Sequence, residues 1–357
     1  MRYIPSNCLR VGQVLANNLV LDRNRLLLRK GMALTASQIL KIRQLGFQGV
    51  YIDDDISSDI QIAHVISDEL KQRAKQEVRA MFVEAENSRG RKVLSNTDRL
   101  RDVIANMVEE IMHNRNTMVN IVDIRTYDDY TFSHSINVAV LSCVIGTVLG
   151  LSYRALNNLT LGALMHDIGK VFIDKRIINK PGKLTPEELD QAKRHSLLGY
   201  NYLCANKTIP EDCRLVALMH HEQFSGTGYP SGLSGSQISL FSRIVCIADV
   251  YDALISDRPY RRAMLPSDAV EYIMCGYNTM FDPDIVSAFT KRVAPYPIGT
   301  CVKLSTGELA VVVTNFETNC LRPRVRIIKN NKPTEEYINL AQDFSKLHVT
   351  ILEIVNT

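Results

Sequence analysis

Nineteen consecutive residues from 135 to 153, SINVAVLSCVIGTVLGLSY, carry no formal charge. A run of that length leaves a folded chain two options: a helix that spans a bilayer, or a helix surrounded by its own protein's core. Asn137, Ser142, Gly146, Thr147 and Gly150 break the apolar surface, and His134 stands at its front edge, which suits the buried helix and not the span. A helix buried on every side needs several others around it, so the run predicts a substantial helical domain. With 357 residues the chain exceeds one ordinary compact domain, and two or three modules are expected. Its 46% hydrophobic and 22% charged residues leave little room for disordered tracts.

Periodicity divides the chain into four stretches. Residues 1–60 mix short strand-like runs with one helix, TASQILKIRQLGF, and read as a small α+β module. Thr35 with Gln38 three residues on predicts a capping box at the start of that helix, and Gly46 its end. Residues 61–99 form a charged helical connector, read either as a solvated face or as the seam of a homodimer. Residues 100–295 are helical by periodicity, with turn chemistry at NKPGKLTPEE, QFSGTGYPSGLSG and FDPD. After Pro295 and Pro297 the texture turns to β, with TCVKLS, ELAVVVT, RPRVRII and HVTILEI, so 296–357 reads as a small antiparallel barrel or sheet. The expected fold class is therefore mainly α, a helical bundle with a small α+β module before it and a small β domain after it.

Eight cysteines lie scattered without a CxxC pair and no secretory leader opens the chain, which reads as free thiols in a reducing cytoplasm. The net charge of +4 is too small for a protein that coats DNA but accommodates a pocket for a phosphorylated ligand.

Five of the eight histidines fall between 134 and 221: His134, His166, His195, His220 and His221. Two of the strings that hold them are MHDIGK (165–170) and MHHE (219–222), and a further carboxylate, Asp249, sits in the apolar run RIVCIADVYDAL. Imidazole and carboxylate without thiolate form the ligand set for iron, manganese or zinc at a reactive site, whereas a structural zinc site favours cysteine. On a helix His166 and Asp167 would project about 100° apart and so address different edges of one cluster. Two ions roughly 3.5 to 4 Å apart fit that arrangement, with Asp167 bridging, His134, His166 and Asp249 on one ion, and His195, His220 and His221 on the other. Lys170 falls on the same face, where it can neutralise a phosphate oxygen or protonate a leaving group. A lone histidine on an apolar face is more often a satisfied core residue than a ligand; five of them at matching positions make coincidence the weaker explanation. His64, His113 and His348 have no such neighbours and read as surface residues.

Taken together, HDIGK, KPGKLT, HHE, GTGYP (226–230) and SDRPYR (256–261), in that order, resemble the HD-GYP subgroup of the HD-domain phosphohydrolases. The resemblance runs from 130 to 289. It implies an HD-type helical bundle, the metal ligands His134, His166, Asp167, His195, His220, His221 and Asp249, two divalent metal ions (iron or manganese), and a phosphodiesterase that hydrolyses cyclic di-GMP to pGpG, with or without further cleavage to GMP. Lys170 and Asp167 are the expected catalytic residues. The sequence departs from the subgroup's pattern at Gln223, commonly arginine, and at Ser225, usually acidic, which bears on substrate preference or turnover and not on metal binding. Tyr130 occupies the position where some members carry a glutamate for a third metal, so a binuclear centre is expected.

The substrate contacts expected are Gly228, Tyr229, Pro230, Lys183, Arg258 and Arg261. Glycines let backbone approach a ligand, the tyrosine ring can stack on a base, and arginines present forked donors to phosphate or guanine. The bland readings are an ordinary turn and a surface salt bridge. Asp252, one turn beyond Asp249, is expected to orient a ligand and not to be one. Two other functions compete: a phosphodiesterase for cyclic GMP-AMP, and a catalytically weak cyclic di-GMP receptor that keeps the fold. The partners expected are a cyclic dinucleotide, a homodimer mate and proteins such as diguanylate cyclases, with no DNA and no membrane span.

Overall fold

In the computed structural model all residues are described except 21–25, 46, 48, 61, 63, 89–96, 120–129, 257–262, 331 and 356–357; Gly46, Arg258 and Arg261 thus lie outside the described residues. The chain divides into two compact units, one of Val65–Thr117 with Thr131–Arg292, the other of Met1–His64, Met118–Tyr130 and Val293–Thr357.

The helical unit grows around the charge-free run. Helix α4 (Tyr130–Val148) is buried on all faces from 133 to 146, as a helix with no polar stripe must be. No helix among the described residues is long and apolar enough to cross a membrane. Helix α5 (Tyr153–Met165) follows after a short turn and starts at Ser152, whose hydroxyl accepts from the Ala155 N–H at 3.3 Å. It packs on α9 (Glu211–Met219), which in turn packs on α8 (His195–Cys204) and α10 (Leu240–Ile255). Around them lie α2 (Asp68–Ser88), α3 (Thr97–His113), α6 (Lys175–Ile178), α7 (Pro186–Lys193), α11 (Pro266–Cys275) and α12 (Pro283–Arg292). Most of the charged connector, from Val65 on, belongs to this unit. Leu70, Ala74, Val78, Met81, Phe82 and Ala85 form a stripe along α2 at helical spacing, buried where α2 packs on α3.

In the second unit the Thr35 capping box forms as expected: the Gln38 N–H donates to Thr35 Oγ1 at 3.3 Å and the Thr35 N–H to Gln38 Oε1 at 2.8 Å, starting α1 (Ala36–Gln44). Strand β5 (Gly49–Asp53) pairs with β1 (Arg2–Pro5) and β2 (Val14–Leu15), while β3 (Leu19–Val20) pairs with β4 (Leu26–Leu28). The C-terminal stretch forms one antiparallel sheet in the order β10-β6-β7-β8-β9, from β6 (Cys301–Leu304), β7 (Leu309–Thr314), β8 (Arg324–Lys329), β9 (Lys332–Asn339) and β10 (Ile351–Ile354). Strand β9 is absent from the sequence reading because KPTEEYIN carries a proline and two glutamates. It is tolerated at the sheet edge, where only one neighbour demands hydrogen bonds. Both ends of the chain share a core, with Tyr51, Ile56 and Ile60 packed among Cys301, Val311 and Ile328. Arg326 closes it with a forked pair of bonds to Asp59, at 2.7 and 2.9 Å.

All cysteines are free, and burial pushes the thiols of Cys143, Cys213 and Cys246 up to about 12, so they behave as apolar core.

Candidate metal centre

Three of the clustered histidines stand at helix ends, where the last backbone carbonyls have no partner inside the helix. His166 caps the C-terminus of α5, His195 follows the end of α7, and His220 caps α9. Each ring turns its Nδ1 back onto the helix that precedes it: His166 to Ala163 O at 2.7 Å, His195 to Ala192 O at 2.7 Å, His220 to Val216 O at 3.0 Å. A carbonyl oxygen only accepts, so Nδ1 carries the proton and Nε2 keeps a bare electron pair. His134, on α4, is tied differently: its Nδ1 lies 2.7 Å from Asp252 Oδ2, and Asp252 is itself held by Asn137 Nδ2 at 2.8 Å.

With the rings fixed, their Nε2 atoms converge. His195 Nε2 lies 3.4 Å from His220 Nε2 and 3.2 Å from His221 Nε2. Bare electron pairs at that separation repel unless a proton or cation lies between them. Asp167 sits at the centre, with Oδ2 3.2 Å from His166 Nε2 and Oδ1 3.4 Å from His195 Nε2. Asp249 Oδ1 is 3.1 Å from His134 Nε2. The structure brings all seven expected ligand residues together: Asp167 with His195, His220 and His221; His134 with His166 and Asp167; and His166 with His220 and Asp249 form groups whose ligand atoms lie within 4.8 Å of one another. Asp167 belongs to two of these groups.

The HD pair does not continue a helix, as the sequence reading assumed. α5 ends at Met165, and Asp167 precedes a 3-10 turn, Ile168–Phe172. That turn carries Lys170 back onto Asp167, where its ammonium donates to Oδ2.

Charge follows the same geometry. Burial raises the carboxyls of Asp167 and Asp249, but Lys170 at the first and His134 at the second outweigh it and hold both well below the usual carboxylate range. Burial lowers His195 and His220, and takes His221 down to about 3, so these imidazoles are neutral at physiological pH. Burial also disfavours the charged form of His134, yet its bonds to Asp249 and Asp252 prevail and raise it to about 9. The anionic carboxylates and the neutral imidazoles of His195, His220 and His221 are in the protonation states of metal ligands, and a cation held by His134 would displace the proton that its Nε2 shares with Asp249. His166 Nε2 and Asp167 Oδ1 are buried without a hydrogen-bond partner, which is rare for polar atoms and fits a cation as the missing partner. The donor set, nitrogen and oxygen without sulfur, suits a divalent ion of the iron, manganese or zinc kind.

The 226–230 loop packs behind His221. A Cβ on Gly228 would meet Gln223 N at 2.3 Å and His221 O at 2.5 Å, so the close approach this glycine serves is to the chain's own backbone. Tyr229 donates its N–H to His221 O at 3.2 Å, and its ring stacks on the His221 ring with centroids 4.7 Å apart. That face of the tyrosine is occupied by histidine. Pro230 is exposed beside it. Lys183 is exposed between α6 and α7, with no ion pair joining it to the cluster among the described residues. Gln223 and Ser225 form a neutral tie with Thr227, whose hydroxyl donates to Gln223 Oε1 at 2.6 Å and lies 3.0 Å from Ser225 Oγ.

Glu222, Asn137 and Lys193 were missed by sequence reasoning. Buried Glu222 accepts from the N–H groups of Ser231 at 2.7 Å and Leu233 at 3.0 Å and so pins the loop. Its place beside the histidine pair was the only signal. Lys193 lies 5.3 Å over the Tyr229 ring, and nothing in its local sequence foretold that.

The sequence model of the HD domain matches residues 100–285, a span that contains every residue of the cluster. The chain is 36% identical over 255 residues to the cyclic di-GMP phosphodiesterase PA4108 of Pseudomonas aeruginosa, covering 71% of this chain and 60% of that protein. It is 37% identical over 189 residues to the cyclic di-GMP phosphodiesterase response regulator RpfG of Xanthomonas campestris, covering 52% of this chain and 47% of that one. A 3'3'-cGAMP-specific phosphodiesterase of Vibrio cholerae is 37% identical over 169 residues, 47% of this chain and 36% of that protein. The chain thus spans between about a third and three fifths of the length of these relatives.

Proposed function

The chain belongs to the HD domain family, and from that premise we propose that it is a metal-dependent phosphodiesterase of the HD-GYP subgroup acting on a cyclic dinucleotide. The observation that carries this reading is the set of histidine rings whose Nδ1 atoms are tied off, so that their Nε2 atoms face one another around Asp167. In this reading His134, His166, Asp167, His195, His220, His221 and Asp249 would hold two divalent ions, iron or manganese. When bound, such ions supply an activated water near neutral pH and a counter-charge for phosphoryl oxygens. Lys170, partly exposed and already in contact with Asp167, offers its ammonium to a non-bridging oxygen of the phosphate. Asp252 and Asn137 keep His134 aimed inward, and Glu222 keeps the loop against His221.

The relatives divide between names with cyclic di-GMP and with cyclic GMP-AMP, and the substrate proposed first is cyclic di-GMP, cleaved to pGpG with or without further cleavage to GMP. The test is metal analysis of anaerobically purified protein together with chromatography of both dinucleotides after incubation. Hydrolysis is expected to stop on chelation and to return with iron(II) or manganese(II). Metal-loaded protein that leaves both dinucleotides intact would sink the proposal.

Asp252→Asn tests the support of the site. The amide cannot accept as strongly from His134 Nδ1, and metal affinity is expected to fall by about tenfold to a hundredfold, read by competition with a chelator. Equal affinity in the variant would show that His134 needs no such partner.

A further inference from the structure

Among the described residues two ammonium groups flank the cluster, and they are held in different ways. Lys170 is held at the ligand atoms by its bond to Asp167. Lys193, the last residue of α7, is half-buried, and no carboxylate among the described residues pairs with it. What holds it is the ring of Tyr229, 5.3 Å from its Nζ. Tyr229 is itself fixed on His221, stacked with 27° between the ring planes and tied by its backbone N–H. The tyrosine therefore couples Lys193 to the cluster while keeping it off the ligand atoms: Asp167 and Asp249 are met by Lys170 and His134, not by Lys193.

An ammonium without a counter-ion, carried on a fixed aromatic ring beside a phosphate-cleaving centre, is placed to meet a second anionic group. A simple phosphodiester has one phosphate, which the cluster and Lys170 engage. A cyclic dinucleotide has two, on opposite sides of one macrocycle, so the second must lie away from the ligand atoms when the first is at them. We infer that Lys193, carried on Tyr229, binds the second phosphate of a cyclic dinucleotide and so selects substrates with two phosphodiester groups over those with one. This rests on the hydrolase reading above.

The measurement is the ratio of kcat/KM for cyclic di-GMP to kcat/KM for bis(4-nitrophenyl) phosphate, in metal-loaded wild type, Lys193→Met and Lys193→Arg. The ratio cancels any loss common to both substrates, such as partial unfolding or a shortfall of metal. Lys193→Met is expected to lower it about tenfold, equivalent to about 1.4 kcal/mol, through KM for the dinucleotide, and Lys193→Arg to restore it. A fall of less than about threefold in Lys193→Met overturns the assignment of Lys193 alone. Wild-type protein that turns over neither substrate overturns the hydrolase reading and this inference with it.

Discussion

Asp167→Asn is expected to cost at least half of the bound metal and on the order of a thousandfold in hydrolysis, about 4 kcal/mol in the barrier. The substitution keeps the shape of the side chain and removes its charge. In the native chain both carboxylate oxygens work: Oδ2 faces His166 and Lys170, and Oδ1 faces His195. An amide presents one oxygen and one NH2, so one of those faces would point a donor at a cation or a lysine. Lys170 would also lose the carboxylate that neutralises it, leaving a partly buried ammonium unpaired. Metal per chain by elemental analysis and hydrolysis of cyclic di-GMP are the two readouts. Retention of full metal content and a rate within tenfold of wild type would remove Asp167 from the centre of the proposed site.

Gly169→Ala should be nearly as damaging without touching any ligand. A Cβ there would meet His195 O at 1.9 Å, Gly199 N at 2.6 Å and His195 C at 2.8 Å. All three are backbone atoms, so no rotamer relieves the contact, and the 3-10 turn must separate from α8. That separation pulls His166 and Asp167 away from His195. The cost is expected to be about 3 kcal/mol, at the upper end of overpacking effects, or several degrees in the thermal midpoint. Because the clash is between backbones, the midpoint should fall in metal-free protein as well, which distinguishes it from a loss of metal alone. An unchanged midpoint in metal-free Gly169→Ala would show that the crossing of the turn over α8 has room for a methyl group.

The glycine of HDIGK thus has a structural meaning that its string does not disclose. In space it is where two segments touch through their backbones, one of them 26 residues further on. Gly228 has the same character, since its neighbour is the backbone of His221 to Gln223. Residue identity signals chemistry, but the reason for a missing side chain lies in what passes beside it.

The helical domain was legible because burial and periodicity are local. A run without charge over 135–153 has to be enclosed, and α4 is enclosed. The capping box at Thr35 was legible for the same reason, since its partners lie three residues apart. Strand β9 was not legible: a proline and two glutamates make a poor strand, and only its edge position makes one of them. Nor was the sharing of a core between the first 60 residues and the last 60, which depends on contacts between chain ends.

From the sequence alone came the ligand types, the buried helix and the family resemblance, because these depend on residue identity and short spacing. Only the tertiary structure decided which nitrogen is bare on His166, His195 and His220, that Asp167 stands between two groups of histidines, and that Lys193 rests on Tyr229. Those features arise where helix ends meet, and the free carbonyls that orient the rings exist only once the helices have stopped at those residues.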